Sequence, residues 1–320
     1  MRLYHYTQYE SETSVAEFIQ SFSYEGSEFE FEAFDQYLSE VEEEMGIVFD
    51  VSQKRAIESF FREDMMIMTG GPGTGKSTLL AAMVRMMQKV NPWLHISLCA
   101  PTGRAAKRLK ELTNVDASTI HSILKWDPDT NEFGRNEENP LETDILIVDE
   151  FSMVDIWLLS KIFDASNSVK KFLFVGDKDQ LPSVGPGFVL GDLIASKALP
   201  VLYLEHNYRQ EEGSEVVDLA LKVRDGKFQI EGYGEEVLFY EEEPLQTVME
   251  VTKDFMARGY DLSEIQILAP QYRGRYGIDN LNHFLQKTFN PAKEGKAERI
   301  FGSHIFREGD KILQLKNQPD

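Results

Sequence analysis

Met65-Met-Ile-Met-Thr-Gly70-Gly71-Pro72-Gly73-Thr74-Gly75-Lys76-Ser77-Thr78-Leu-Leu80 is the stretch whose reading decides the fold. An apolar run, a glycine-rich turn and an amphipathic run spell strand, loop and helix, and residues 70–77 match G-x-x-x-x-G-K-[ST] in that context. Glycines let successive backbone N–H groups converge on phosphate oxygens, and the helix N-terminus adds its dipole. The reading therefore assigns Gly71, Pro72, Gly73, Thr74, Gly75, Lys76, Ser77 and Thr78 to the phosphates of a nucleotide. Lys76 reaches the β/γ end and the Ser77 hydroxyl ligates Mg²⁺.

Outward from this loop, short apolar runs alternate with amphipathic stretches, the signature of βα units and a parallel sheet. Strands are expected at 65–68, 95–100, 144–148 and 171–175, and such sheets bind ligands at the carboxyl ends of their strands. Leu146-Ile-Val-Asp149-Glu150 sets two carboxylates at one such end. Asp149 suits Mg²⁺ held through its water shell, and Glu150 suits proton abstraction from an attacking water. Phe174-Val-Gly176-Asp177-Lys-Asp179-Gln180 ends the next strand, with Gln180 where a γ-phosphate and its water are sensed. Adjacent acids favour nucleotide hydrolysis over a small-molecule kinase.

A second series of runs, at 201–204, 237–240, 265–269 and 311–315, alternates with helical patterns at 214–225, 244–257 and 278–288. The expected organisation is an acidic helical segment (1–45), a first α/β domain (46–198) and an incomplete second one (199–320). A β-hairpin insert stands at about 124–143, around Trp126 and Phe133. A length of 320 residues is comfortable for two such domains. Within 1–45, Ser14 and Glu17 are spaced as a capping box, with Val15, Phe18, Ile19 and Phe22 on one face. Phe31, Phe34, Leu38, Val41 and Met45 mark a second helix, and together they suggest a solvated hairpin packed on its neighbour.

The formal charge is -21, from 33 basic and 54 acidic residues, which ordinarily counts against a polyanion partner. Its distribution changes that. Residues 1–50 hold thirteen Asp or Glu against one Arg, whereas 103–125 is locally basic through Arg104, Lys107, Arg108, Lys110 and Lys125. A composition 42% hydrophobic and 27% charged excludes global disorder. The lone Cys99 excludes an internal disulfide, and the common zinc spacings are missing. With no apolar stretch long enough to span a bilayer and no secretory signal, a soluble cytoplasmic protein is expected.

Six motifs occur in order: Ala100-Pro-Thr102-Gly-Arg104-Ala-Ala-Lys107-Arg108, Ser118-Thr119-Ile-His121, Asp149-Glu150-Phe-Ser-Met153, Gly176-Asp177-Lys-Asp-Gln180-Leu-Pro182, Val184-Gly-Pro-Gly187 and Asn207-Tyr208-Arg209-Gln210. With the phosphate loop they resemble the RecD-like superfamily 1 DNA helicases, the exodeoxyribonuclease V α-subunit family. The resemblance implies a P-loop NTPase with two RecA-like domains that uses ATP and Mg²⁺ to move 5′-to-3′ on single-stranded DNA in repair or recombination. Lys76, Glu150, Gln180 and the arginine finger Arg209 would be catalytic. Gln53 would read the adenine edge and Tyr208 would stack on the base. Thr102, Arg104, Thr119 and His121 would touch the strand, with Pro270, Tyr272 and Arg273 forming the other half of the track. The hairpin falls where the family carries its small duplex-splitting pin, for which Trp126 and Phe133 are candidate aromatics; a hairpin of this length that simply packs on the domain stays open as the alternative.

Single-stranded DNA and other recombination or repair subunits are the implied partners, with no membrane and no small-molecule substrate besides ATP. Only the family separates DNA from RNA. Two later motifs of the family's second domain do not occur, which suggests a truncated or split protein with weak ATPase activity and little unwinding. An ATP-dependent switch or loading subunit that binds partners without unwinding stays open as the alternative.

Overall fold

Alternate residues of the central strands enter two different cores, which is why the sequence reads as continuous apolar runs there. In the computed structural model, residues 5–23, 33–204, 214–234, 236–302 and 304–312 are described. They fall into two units, Met1–Arg224 and Asp225–Asp320. The first begins with α1 (Tyr6–Ser21), α2 (Phe34–Met45), α3 (Val51–Arg62), β1 (Met65–Gly70), α4 (Lys76–Val90), β2 (Ile96–Ala100) and α5 (Gly103–Thr113). Then come β3 (Ala117–Thr119), α6 (Ile120–Ile123), the hairpin strands β4 (Trp126–Asp127) and β5 (Glu132–Phe133), and β6 (Ile145–Val148). α7 (Ile156–Asp164), β7 (Lys171–Gly176), α8 (Val189–Ser196), β8 (Val201–Leu204) and α9 (Glu215–Arg224) complete it.

Six strands form one sheet in the order β3-β2-β6-β7-β1-β8, all parallel, so their carboxyl ends share one edge. On one face Met65, Ile67, Leu146, Val148, Phe172 and Phe174 pack with α1, α7 and α8. On the other, Met66, Met68, Ile145, Ile147, Leu173 and Val175 pack with α2, α3 and α4. Each such fully buried Leu, Ile, Met or Phe is worth roughly 1.5–3 kcal/mol.

The acidic N-terminal helices do not pair with each other. α1 lies on α7, its Phe18 ring stacked 4.1 Å from Phe163, while α2 lies on α4 across the sheet, burying Leu38 and Val41. Val15, Phe18, Ile19 and Phe22 face the core as their spacing predicts, but α1 starts at Tyr6, which leaves Ser14 inside the helix instead of capping it. Phe31 lies outside the described residues. Glu43 and Glu44 of α2 face outward and Lys89 pairs with Glu40 and Glu44, whereas Glu42 turns in to accept the Phe49 N–H and pair with Lys54.

β8 also departs from expectation. Val201–Leu204 reads as the first strand of the second series, yet it pairs in parallel with β1, Met68 opposite Leu202. A four-residue apolar run announces a strand without saying which sheet it joins.

The second unit holds α10 (Pro244–Ala257), α11 (Ile278–Phe289) and an antiparallel hairpin of β9 (Glu298–Phe301) and β10 (His304–Arg307). Segments 237–240 and 265–269 form no strand and join no ladder among the described residues, and of 311–315 only 311–312 are described. Alternating apolar residues favour extended backbone, whereas a ladder also requires a neighbour within hydrogen-bonding distance. Here polar side chains substitute: Asn290 donates to the Glu308 carbonyl and to Asp310, tying the end of α11 to the hairpin.

Candidate nucleotide and strand site

The turn after β1 is built to expose its backbone. Gly73 and Gly75 sit at φ 80° and 83°, a region open to glycine, and Thr74 Oγ1 donates to the Gly71 carbonyl at 2.9 Å. A Cβ on Gly70 would lie 2.7 Å from both the Leu204 carbonyl and Thr74 Oγ1, so β8 and the loop close on it. Lys76 opens α4, and its ammonium donates to the carbonyls of Gly70 and Gly71 at 2.6 and 2.9 Å. Ser77 is half-buried beside it, while Pro72 and Thr78 are exposed.

Asp149 and Glu150 follow β6, the second strand away from β1 across β7. The Asp149 N–H donates to the Cys99 carbonyl, and its Oδ1 accepts the Glu150 N–H at 2.9 Å. Burial pushes the Asp149 carboxyl above its ordinary range; the Glu150 N–H, Lys76 and Arg108 pull it down, and the Glu150 charge pushes it further up. Glu150 itself sits at φ 51°, ψ 40°, a left-handed backbone uncommon outside glycine, held as the chain turns into Phe151–Met153.

After β7, buried Asp177 accepts the Asp179 N–H at 3.0 Å, and the Lys178 N–H reaches Thr69 Oγ1 at 3.2 Å. Gln180 is exposed, and its Oε1 accepts the Ser152 hydroxyl. Three of the sequence-assigned groups, Lys76, Asp149–Glu150 and Gln180, therefore emerge from one sheet edge and are linked by hydrogen bonds or charge.

Farther along the same edge Thr102 caps α5, accepting the Ala105 N–H, and Thr119 caps α6, accepting the Ser122 N–H, both at 3.2 Å. Ala100 pairs with Thr119, so the two caps are neighbours. Lys110 is paired with Asp116 and Lys107 with Glu111, which leaves exposed Arg104 and Arg108 as the outward charge of α5.

The family model described as "AAA domain" matches residues 53–186, which includes all of these groups. The "ATP-dependent RecD2 DNA helicase" of Deinococcus radiodurans is 35% identical over 273 residues, 83% of this chain and 36% of that protein. The chain belongs to the RecD-like family. The "RecBCD enzyme subunit RecD" of Mycolicibacterium smegmatis is 29% identical over 294 residues, 78% of this chain and 52% of that one. Thus the RecD-like chain spans between about a third and about half the length of these curated relatives. Among solved structures, the Pif1 helicase from Candida albicans matches with a TM-score of 0.51 at 23% identity, over 79% of this chain and 57% of that chain, a likeness of fold.

Gln53 is buried at the third position of α3, in a capping box: its N–H donates to Asp50, and its Oε1 accepts the Asp50 N–H at 3.0 Å. That engages one end of the amide and leaves Nε2 as its donor. The D-x-x-Q signal for this cap is present in the sequence. Tyr208 and Arg209 lie outside the described residues. Pro270, Tyr272 and Arg273 are exposed in the second unit, in a loop whose Gln271 and Tyr272 carbonyls accept N–H groups from the start of α11. They do not follow a paired strand, because 265–269 has no ladder neighbour among the described residues.

Trp126 and Phe133 turn inward. Phe133 is 9% exposed, packed with Trp126 on Trp157, so the exposed rim of the hairpin is the polar stretch 127–132. Asp177, Ser152, Thr69 and Arg108 were not assigned from sequence, although Gly-Asp after a strand marked the first. Among the described residues, no helix is long and apolar enough to cross a membrane.

Proposed function

We propose that this chain is an ATP-hydrolysing motor of RecD type that moves 5′-to-3′ on single-stranded DNA in repair or recombination. The observation that carries the reading is the convergence of the Lys76 loop, the Asp149–Glu150 turn and the Gln180 loop on the sheet edge that also bears Thr102 and Thr119. Homology to a protein named as an ATP-dependent DNA helicase supports it.

In this mechanism the glycine-loop N–H groups and Lys76 bind the triphosphate, and Gln53 Nε2 donates to the base. Glu150 takes the proton of the attacking water, and Gln180 orients that water while reporting on the γ-phosphate. Ser77 and Asp149 fit a divalent cation. Both offer hard oxygen donors, and Asp149 is a buried carboxylate whose charge is unfavourable until a cation compensates it. Held there, Mg²⁺ would supply neutralisation of the phosphate charge. Arg209 completes the charge from the segment after β8, and Tyr208 stacks on the base. Thr102, Arg104, Thr119 and His121 hold strand phosphates, which suits a motor indifferent to sequence. Pro270, Tyr272 and Arg273 are proposed as contacts from a second RecA-like domain, with other repair subunits as partners and the cytoplasm as the site of action.

The test is ATP turnover by the 320-residue chain with and without an oligodeoxythymidine. Stimulation that Lys76→Ala abolishes is expected. Turnover indifferent to DNA would instead favour an ATP-dependent switch.

A further inference from the structure

A run of aromatic rings leads from the start of α7 to His121. α7 begins six residues after Glu150, and its Ile156 N–H donates to the Pro186 carbonyl at 3.1 Å, at the end of the loop that bears Gln180. The end of the loop that bears Gln180 thus meets the first turn of α7, which carries Trp157 and follows the Glu150 turn in the chain. The Trp157 ring stands 5.9 Å from Trp126, planes at 90°, and 5.4 Å from Phe133. Trp126 and Phe133 oppose each other across the hairpin with rings 4.7 Å apart. His121 closes the group, 6.1 Å from Trp126 and 5.9 Å from Phe133.

Strands of two residues cannot hold a hairpin by themselves, and the tip residues 127–132 are exposed, so this cluster fixes the hairpin's orientation. Aromatic pairs in these edge and tilted geometries add directional packing to their burial. A packed ring chain is a contiguous physical path of the kind that transmits small displacements.

We infer that Trp157 is a positioning residue: through Trp126 and Phe133 it couples the Glu150 and Gln180 turns to His121 and the hairpin, so that the nucleotide state alters the grip on the strand. The inference rests on the ATP-driven reading above. Hairpin and strand cap then respond as one body to a shift of α7.

The chain has three tryptophans, and Trp93, 88% exposed, is outside the cluster. In the Trp93→Phe protein, emission comes from Trp126 and Trp157 alone. Addition of Mg·ADP, or of a slowly hydrolysed ATP analogue, is expected to change that emission; bound nucleotide without any change overturns the link. On the wild-type background, Trp157→Ala is expected to raise the oligodeoxythymidine concentration for half-maximal stimulation of ATP turnover by about tenfold, a usual coupling magnitude. Basal turnover and the KM for ATP should stay within about twofold, and Trp157→Phe should restore the DNA response. An unchanged DNA response, or an equal loss of basal turnover, overturns the inference. Should Trp157→Ala not fold, Phe133→Leu perturbs the cluster from the hairpin side and must give the same split. A wild-type chain that binds nucleotide but never hydrolyses it refutes the motor, while the emission arm still decides the link.

Discussion

The Ser152 hydroxyl donates to Gln180 Oε1 across 3.1 Å, joining the turn after Glu150 to the loop after β7. Gln180 is exposed, so without this bond its amide could sample other rotamers, whereas Ser152 is buried and fixed by the turn.

Ser152→Ala is therefore expected to lower kcat for ATP with little change in KM. Loss of one such bond costs about 0.5–1.5 kcal/mol, which corresponds to roughly a twofold to twelvefold fall if it is felt in the transition state. Steady-state ATPase assays check it, and thermal unfolding should show only a small shift.

Gly176 closes the other side of this junction. A Cβ there would lie 2.9 Å from Leu190 Cδ2 and 3.2 Å from the Ser152 nitrogen. Gly176→Ala must displace the Leu190 side-chain end and press on the backbone of the catalytic turn, an overpacking cost of about 1–3 kcal/mol. A lowered urea midpoint together with reduced ATP turnover is the expected pair of results.

Glu150→Gln preserves volume and hydrogen-bonding reach while removing the base. Nucleotide affinity by fluorescence titration should be retained and turnover should fall by about 100-fold or more, the usual contribution of a general base. Equal turnover in the variant would remove Glu150 from its assigned role.

Lys171, at the far end of β7, is fully buried and donates to the carbonyls of Phe60 and Glu63. Burial lowers its ammonium from 10.5 to about 8, despite the pull of Asp64 and Glu63. Between those values the unfolded chain binds more protons than the folded one, so this group's contribution to stability is complete above pH 10.5 and is lost as pH falls to about 8. The difference across the window is on the order of 3 kcal/mol. Urea midpoints from pH 7.5 to 9.5 should rise more steeply for the wild type than for Lys171→Met.

Thr102 has two assignments that separate by substitution. Thr102→Ser keeps the oxygen that accepts the Ala105 N–H, whereas Thr102→Ala loses it, at a cost of about 1 kcal/mol in stability. Single-strand affinity by anisotropy should follow the same order if that hydroxyl meets the phosphates.

The nucleotide edge was legible because its signals are local. A strand, a glycine turn and a helix sit side by side in residues 65–80, and the carboxylates and Gln180 each end a run of β-formers. What escaped depended on distance along the chain. Val201–Leu204 reads as a strand but takes its place beside β1 through pairings more than 130 residues apart. α1 and α2 carry clear stripes, yet nothing local tells which face of the sheet each stripe will meet. Trp126 and Phe133 looked available because turn residues surround them; only Trp157, a quarter of a hundred residues later, gives them somewhere to go. In the second unit the apolar runs at 237–240 and 265–269 read as strands, yet neither forms one among the described residues, since pairing is a property of two segments and the run belongs to one.

The positions of α1 and α2 carry a further consequence. Eight of the thirteen acidic residues in 1–50 ride on two struts that close opposite sides of the sheet, so much of the excess negative charge and a sealed interior are inherited together. Trimming the segment to favour a polyanion would bare Phe163 and Phe172 on one side and the back of α4 on the other. Affinity for nucleic acid can be raised only letter by letter, at outward carboxylates such as Glu12, Glu17 and Glu43, with the struts left in place.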